Sequence, residues 1–573
     1  MKKIISFLLL LAMIALTLAS CGGKPGTGTD EVTTAGEETP ETTAATESDV
    51  TTEAQTTVAA TTPDKWEVLG GEVADLFEFQ RTFKIELSNH SDAEKPSKND
   101  QYVVGPDSVD GFTPALQQFV YERNKAAVEM MGLNISYVYW DFEWSKQAEQ
   151  IKTVVQGQAK DAPDLFVNMI ADLTMATVSG TFKDTWSLPK SYFDFTTEGW
   201  MEEYMESLSL TGDRSYVLVG DYFLDVLRAL SVLPVNIDMM DANAEKLAPY
   251  ILASGQTLEA GEKLSDYFFD FVDDGKWTYS VLHELCEAIW VDTDGDGADS
   301  IVDVLGIVAD NHGGMNSEMF IFTTCRNLFD VDVIEDENDP DYGRLKITYA
   351  QDMGELGDLF DAVATVFLGK GSVGTKANYS GSSPDNPGAA YHRIKFKEGT
   401  LLTAGVTMLG VLEDEPFQEM EQVFTVVPVP KLTEDRDYIT LIHTSGDAGA
   451  INVNSKKALG ISAFVQYCCE HSSHIREEFL EIVSKYKTTK YNQGTDRMLD
   501  LVYSTVVNGF EKMIEDCVGT KDRFFWIMMS GNSEVTSAAL ADRYQSAISA
   551  KQAILDKLVK TWYTLPKVEK TAE

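Results

Sequence analysis

The chain is 573 residues long, with 44% hydrophobic and 24% charged residues, the balance of a soluble globular protein with room for two or more lobes. That composition excludes collagen, coiled coil and wholesale disorder. Ninety-one acidic residues against 46 basic ones give a formal charge of −45, which excludes nucleic-acid binding through the phosphate backbone and a polybasic membrane patch. Neutral ligands or cations suit such a surface.

In chain order, Met1-Lys2-Lys3 is a short basic start and Ile4 to Leu18 a largely apolar run. The run is too short for a comfortable bilayer span, which needs roughly 20 residues, and it ends in the small residues Ala19 and Ser20 before Cys21. Residues 1–20 therefore read as a secretory signal. Leu18-Ala19-Ser20-Cys21 resembles a bacterial lipobox, which implies a lipid on the Cys21 thiol and attachment at the outer face of the cell membrane. Two or more acyl chains hold such a domain stably. Residues 21–64 follow as a stalk: Gly22 to Asp64 contains fourteen Thr and no aromatic, Leu or Ile. It cannot bury enough apolar area to offset ordering entropy, and coil statistics give it a reach of about 35 Å.

From about Lys65 the pattern becomes α/β. Phe83 to Leu87 alternates as a strand, Pro114 to Met131 has helical spacing, and Ile135 to Tyr139 reads as a strand. Ser145 to Val155 reads as a helix and Asp164 to Val167 as a buried strand, so the order is that of a right-handed crossover unit. Val423 to Lys431 is extended, with prolines that demote it to a sheet edge or a crossing segment. Ala458–Cys469, Ile475–Tyr486, Thr495–Val507 and Ala538–Val559 are amphipathic, a helical tail. The five cysteines after Cys21 show no repeated spacing and no C-x-x-C, so neither a disulfide framework nor a zinc ribbon is expected.

The strongest chemical signal is Asp292-Thr293-Asp294-Gly295-Asp296-Gly297-Ala298, continuing to Asp303. It matches a calcium loop in which the final Glu is replaced by Asp. Asp292, Asp294 and Asp296 converge, Gly297 permits the sharp turn, the Ala298 carbonyl can ligate and Asp303 closes the shell. A helix precedes the loop and a strand follows it, so a structural Ca2+ clamp is expected rather than a calcium switch. Gly369 to Gly374 fits G-x-G-x-x-G as a string, but it follows a helix, and glycine termination of that helix explains it better. His283-Glu284 lacks the second His of a zincin and reads as an exposed helix face. No G-x-S-x-G or Walker motif occurs. Flat aromatic rings suit the CH faces of sugars. Trp140, Trp186, Trp200 and Trp526 are the aromatic cleft candidates, with Asp221 as a hydroxyl partner.

Several stretches together resemble a family 1 extracellular solute-binding protein, the lipoprotein receptor of a carbohydrate-type ABC importer. They are the lipobox with its stalk, Tyr121-Glu122-Arg123-Asn124, Trp144, and the 151–157 helix leading into Asp161-Ala162-Pro163-Asp164-Leu165. Gly275-Lys276-Trp277-Thr278 follows, placed before the calcium loop and Leu305-Gly306-Ile307. Phe396 to Thr400, Val427 to Lys431 and Asp496 to Asp500 complete the series. The resemblance implies a two-lobed, type II periplasmic-binding-protein-like fold with a multi-crossing hinge and a helical C-terminal region. It places lobe 1 at 65–233 plus 400–450 and lobe 2 at 234–399 plus 455–565. Chain crossings are implied near Leu233-Pro234-Val235, 395–400 and 450–455. It also implies a monomer that captures an oligosaccharide or related solute, makes no bond, and delivers its cargo to ABC permease subunits. A surface glycoside hydrolase and a transporter-independent glycan-binding lipoprotein are the rival readings.

Overall fold

The computed structural model describes Trp66 and residues 80–89, 103–104, 114–141, 143, 146–188, 193–310, 328–375, 382–383, 386–387, 391–413, 417, 419–443, 445–488, 492–507, 509–517 and 536–565. The signal, Cys21, the stalk, Trp144 and Trp526 lie outside the described residues.

The chain enters a sheet through β1 (Thr82–Asn89), whose Phe83, Ile85 and Leu87 are almost wholly buried. Helix α1 (Pro114–Met131) then leads to β2 (Asn134–Asp141). Gly132, at φ +60°, supplies the left-handed turn between them. Helix α2 (Gln147–Gln156) and β3 (Leu165–Met169) follow, and α3 (Ile170–Thr177) starts directly from β3. β1 pairs in parallel with β2 on one side and β3 on the other, as two crossover units require. All five residues of β3 are buried, the mark of a strand covered on both faces.

After the short helices α4 (Glu202–Ser207) and α5 (Asp225–Arg228) the chain leaves this sheet. β4 (Ser231–Asn236) opens a second sheet. Helices α6 (Ile237–Ala242), α7 (Ala244–Ile251), α8 (Leu264–Asp273) and α9 (Tyr279–Ile289) follow. β5 (Leu305–Asp310) comes next, then the hairpin β6 (Phe329–Val333) and β7 (Leu345–Tyr349). Helix α10 (Met353–Leu368), β8 (Ser372–Thr375) and α11 (Tyr391–Lys397) lead to β9 (Leu401–Thr403), β10 (Thr407–Met408) and β11 (Phe424–Val427). β9 lies between β4 and β5. β10 and β11 both pair antiparallel with β4.

The chain returns to the first sheet as β12 (Asp447–Ile451), antiparallel to β3. The first sheet thus reads β12-β3-β1-β2: second, first and third strands in parallel, then a late strand inserted backwards. This is the two-lobed type II architecture that the resemblance implies. Helices α12 (Ala458–Glu470), α13 (Ser473–Thr488), α14 (Asn492–Ser504), α15 (Phe510–Cys517) and α16 (Ser537–Thr564) form the C-terminal helical region.

Strand pairing corrects the expected lobe boundaries. Residues 401–408 and 424–427 belong to the second sheet, so 400–450 does not return to lobe 1 as a block. The return is made within 442–447: Leu230 bridges Ile442, and Asp447 already pairs with Met169. Residues 395–400 do not cross, because α11 and β9 stay beside β5, with Thr400 O accepting Leu305 N. α12 goes with the first sheet, where the Gln80 side chain accepts Leu459 N at 2.9 Å. Leu233-Pro234-Val235 lies inside β4, and the first crossing is just upstream, where His443 N donates to Ala229 O. Short extended runs carry no mark of which sheet they join. That depends on partners far away in sequence.

Candidate functional site

In an open α/β sheet, ligands bind outside the carboxyl ends of the strands. At that edge of the first sheet, Glu86 of β1, Asn168 of β3, Gln147 at the start of α2 and Asp172 in the first turn of α3 are each at most 1% exposed. Asp172 Oδ1 accepts the Ala148 amide at 3.1 Å, capping the opening turn of α2. Asn168 Oδ1 accepts the Met169 amide at 2.9 Å, which leaves its amide nitrogen free to point elsewhere. Asp447, on the returning strand, donates its amide to Asp225 Oδ2 at 3.0 Å, and Arg228 Nη1 donates to Asp225 Oδ1 at 3.0 Å. The polar set therefore adjoins the chain crossings.

Several of these atoms are unsatisfied. Among the described residues Gln147 Oε1 has no hydrogen-bond partner, and the Glu86 carboxyl and Asn168 Nδ2 have only each other, in a contact looser than an ordinary hydrogen bond. A buried polar atom left unpaired costs about 1–3 kcal/mol, so a group of them at one edge needs a reason. Burial pushes the Glu86 carboxyl well above the ordinary carboxylate range; the Asn168 side chain opposes this, and the charges of Asp447 and Asp172 add to it. A neutral Glu86 can donate as well as accept. With an amide donor at Asn168 and an amide acceptor at Gln147, the set matches the mixed donor–acceptor character of hydroxyl groups.

The sequence candidates fall in different places. Trp140 is in register with Ser88 of β1, so it shares the sheet face of Glu86, Phe166 and Asn168. Its ring meets Phe166 edge-on at 5.7 Å. Trp186 lines a separate surface groove of about 410 Å3 with Leu188, Phe193, Asp194, Phe195 and Glu202. Trp200 is core: it is 8% exposed, its ring meets Phe193 and Phe195 edge-on, and its Nε1 donates to Gln466 Oε1 at 3.0 Å.

Asp221 is held in an ion pair. It is 1% exposed, accepts Arg476 Nη1 at 2.6 Å and Tyr503 Oη at 3.3 Å, and its backbone oxygen accepts Arg123 Nη1 at 3.3 Å. Burial pushes its carboxyl up to about 6, with Arg476 pulling the other way. Arg476 also reaches Glu198 at 2.8 Å. Arg123, one of the residues behind the resemblance, lies 5.1 Å from the Tyr222 ring centroid and donates to Ser472 Oγ at 2.7 Å. These contacts use both Asp221 oxygens for packing.

Sequence reasoning missed Glu86, Gln147, Asn168, Asp172 and Asp447. The available signal was polar residues inside runs that otherwise read as buried strand, such as Glu86 in Ile85-Glu86-Leu87 and Asn168 in Phe166-Val167-Asn168-Met169.

The acidic loop lies on the second lobe between α9 and β5, closed at its neck by the Val291–Val304 bridge. One carboxylate oxygen from each of Asp292, Asp294 and Asp296 lies within 4.8 Å of the others. Gly295 and Gly297, both at φ +79°, donate their amides to Asp292. The Asp296 amide holds the Asp294 carboxyl down, but slight desolvation by the crowded loop and the charges of Asp296, Asp303 and Asp292 outweigh it, and the exposed carboxyl lies above its ordinary value. A divalent cation would remove that repulsion. Asp303 departs from the expected closing ligand. It is 0% exposed, and its two oxygens accept the Thr293 and Ser300 amides at 2.8 and 2.9 Å. The shorter Asp side chain braces the loop from inside and is not grouped with the three converging carboxylates.

Of the His283-Glu284 pair expected on an exposed helix face, Glu284 is exposed but His283 is half-buried, with its Nδ1 shielded from solvent. Gly369 terminates α10 and Gly371 sits at φ +73° before β8, in the reverse order to a dinucleotide fingerprint. Among the described residues Cys286, Cys468, Cys469 and Cys517 form no disulfide. Among the described residues no helix is long and apolar enough to cross a membrane.

No protein-family model matches the chain, and no curated protein matches it by sequence. Among solved structures it is similar to the GacH receptor of Streptomyces glaucescens, known unliganded and with acarbose: 14% identity, 85% of this chain and 99% of that one covered, TM-score 0.42. UspC of M. tuberculosis gives 13% identity, 82% and 100% coverage and a TM-score of 0.46. An ABC substrate-binding protein of Listeria monocytogenes in complex with cycloalternan gives 14% identity, 82% and 98% coverage and a TM-score of 0.43.

Proposed function

We propose that the chain is an extracellular, lipid-anchored solute-binding protein that captures an oligosaccharide or related solute and delivers it to ABC permease subunits. The observation that carries this reading is the set of buried polar atoms left short of hydrogen-bond partners at Glu86, Asn168 and Gln147 at the carboxyl edge of the first sheet. The Trp140 ring on the same sheet face adds a flat apolar partner. Two sheets joined by chain crossings beside this edge suit closure around a guest. Solute that touches both lobes only in the closed form would shift the population toward it. The lipobox at Cys21 and the Thr-rich stalk suit a receptor tethered at the outer face of the membrane. Asp292, Asp294 and Asp296, with the Ala298 carbonyl, would hold a Ca2+ ion that stiffens the second lobe away from the solute. No bond is made or broken in this reading.

The test is a thermal-shift screen of the full chain against a panel of soluble glycans, followed by product analysis. A ligand at about 100 times its Kd adds about 2.7 kcal/mol of stability, and Glu86→Gln or Asn168→Ala should remove the shift. Release of shortened sugars would overturn the reading in favour of a glycoside hydrolase. Absence of any shift across neutral, acidic and amino sugars would overturn the carbohydrate assignment.

A further inference from the structure

The C-terminal helix α16 runs along the second lobe, and its last turn also reaches the first. Its first half packs on the second lobe. The Tyr544 ring lies 5.8 Å from Phe360 of α10, and Tyr544 Oη donates to Ala350 O at 2.8 Å. Two turns later, Gln552 bonds β7 twice, accepting Tyr349 N at 3.0 Å and donating to Ile347 O at 2.8 Å. Its last turn keeps a tie to the hairpin, where Tyr563 Oη accepts Leu345 N at 2.7 Å and Arg344 lies 5.0 Å from the Tyr563 ring centroid, and its other face is buried against the first lobe. Trp562 and Leu565 are 2% and 7% exposed. The Trp562 ring meets Tyr216 edge-on at 5.5 Å, and Arg214 Nη1 donates to Leu565 O at 2.9 Å and to Trp562 O at 3.4 Å.

Arg214 and Tyr216 belong to the first lobe. Between them, Ser215 N donates to Asp184 Oδ1 at 3.1 Å, and two residues on Leu218 bridges Gly449 of β12. Arg214 is itself 3% exposed and gripped by Asp213 at 2.9 Å. It therefore serves the open carbonyls at the end of α16 with a fixed charge, as helix C-termini favour. A second tie runs alongside. Phe329 of the hairpin meets Phe510 of α15 at 6.4 Å, and α15 in turn places the Cys517 thiol 3.5 Å from Thr174 O of α3. Residues 63–573 accordingly pack as one compact unit, although the strands form two separate main sheets.

We infer that α16 is a strap between the lobes, locked to the first lobe by Arg214 and Trp562, and that it limits how far the lobes can part. A 28-residue helix spans about 42 Å and resists bending over that length. Interlobe rotation must then pivot at its C-terminal seat or break it, which narrows the ligand-free ensemble. This goes beyond the solute-binding reading and does not depend on it, because it concerns the chain without ligand.

The test is pulsed electron–electron distance measurement between spin labels at Lys160→Cys in the first lobe and Glu284→Cys in the second. Cys21, Cys325 and Cys517 are replaced by Ser in parent and variants alike, and no solute is added. The intact strap should give one narrow distance distribution. Arg214→Ala and, separately, Trp562→Ala should each at least double its width or add a second, longer population. Hydrogen exchange across β1 to β3 reports whether the first lobe remains folded. Distributions that superimpose on the parent in a variant with native exchange would overturn the strap. If exchange shows Arg214→Ala unfolded, Trp562→Ala, which leaves the Asp213–Arg214 pair in place, decides the question. Failure here leaves the glycan screen untouched, and failure of the screen leaves the strap untouched.

Discussion

At Asp221 two opposing effects meet on one side chain. Removal from water raises its carboxyl to about 6, above the ordinary 3.8, and the Arg476 pair recovers only part of that cost. A folded-state value above the unfolded one means that the native state takes up the proton first. Stability from this group is fully present below the unfolded value and is lost as pH rises through about 6. Acidification from pH 7 to 5 should therefore raise the urea midpoint, and Asp221→Asn should flatten that slope by up to about 1.4 kcal/mol per pH unit within the window. A pH profile unchanged by the substitution would show that pairing, and not burial, sets this group. Gly199 poses a purely steric case. It sits at φ +90°, and a Cβ there would lie 2.2 Å from Cys469 O. Gly199→Ala should cost at least about 2 kcal/mol, readable as a fall in Tm. The backbone at Cys469 belongs to a buried helix and cannot retreat.

The acidic loop behaves as an element with its own brace. Asp303 fixes its two ends together, while Asp292, Asp294 and Asp296 remain exposed or half-buried and close together. Adding Ca2+ should raise Tm, and a chelator should reverse the rise. Asp294→Asn with Asp296→Asn should abolish the response without lowering the metal-free Tm, because like charges are removed while each Asn Oδ1 keeps the single amide its Asp accepted. Asp303→Asn should instead lower the metal-free Tm, since it loses a charged acceptor serving two amides, a difference of about 1–3 kcal/mol. Equal melting with calcium and chelator in the parent chain would count against a metal site. Neighbouring elements were legible for local reasons: α1 and α10 begin and end where their apolar spacing does. β11 lies at an edge, paired only to β4, as its flanking Pro428 and Pro430 suggested.

For the whole molecule, the resemblance led to two lobes with crossings. Strand pairing moved the crossings to 229–231 and 442–447. The helical tail was read as belonging to one lobe. Instead α12 and α15 pack on the first lobe, while α14 and the first half of α16 pack on the second. The tail is a set of ties rather than a lobe component. That difference changes the expected mechanics, since a hinge of bare crossings swings freely and a strapped one does not.

Local information sufficed for the alternation of strands and helices and for the convergence of the acidic loop, because each is encoded by residues adjacent in the chain, while the address and the stalk lie outside the described residues. Apolar periodicity places an element, and a short spacing of carboxylates places a cation loop. The candidate solute edge was decided elsewhere. Glu86, Gln147, Asn168 and Asp447 are separated by up to several hundred residues and meet only because β1, β3 and β12 pair side by side. The same holds for Asp221, whose role turns on Arg476 and Tyr503 far along the chain. Burial and partnership are properties of the packed chain. A polar residue in an apolar run announces that something must satisfy it, and only tertiary structure decides whether a neighbour does or whether the position is left open for a guest.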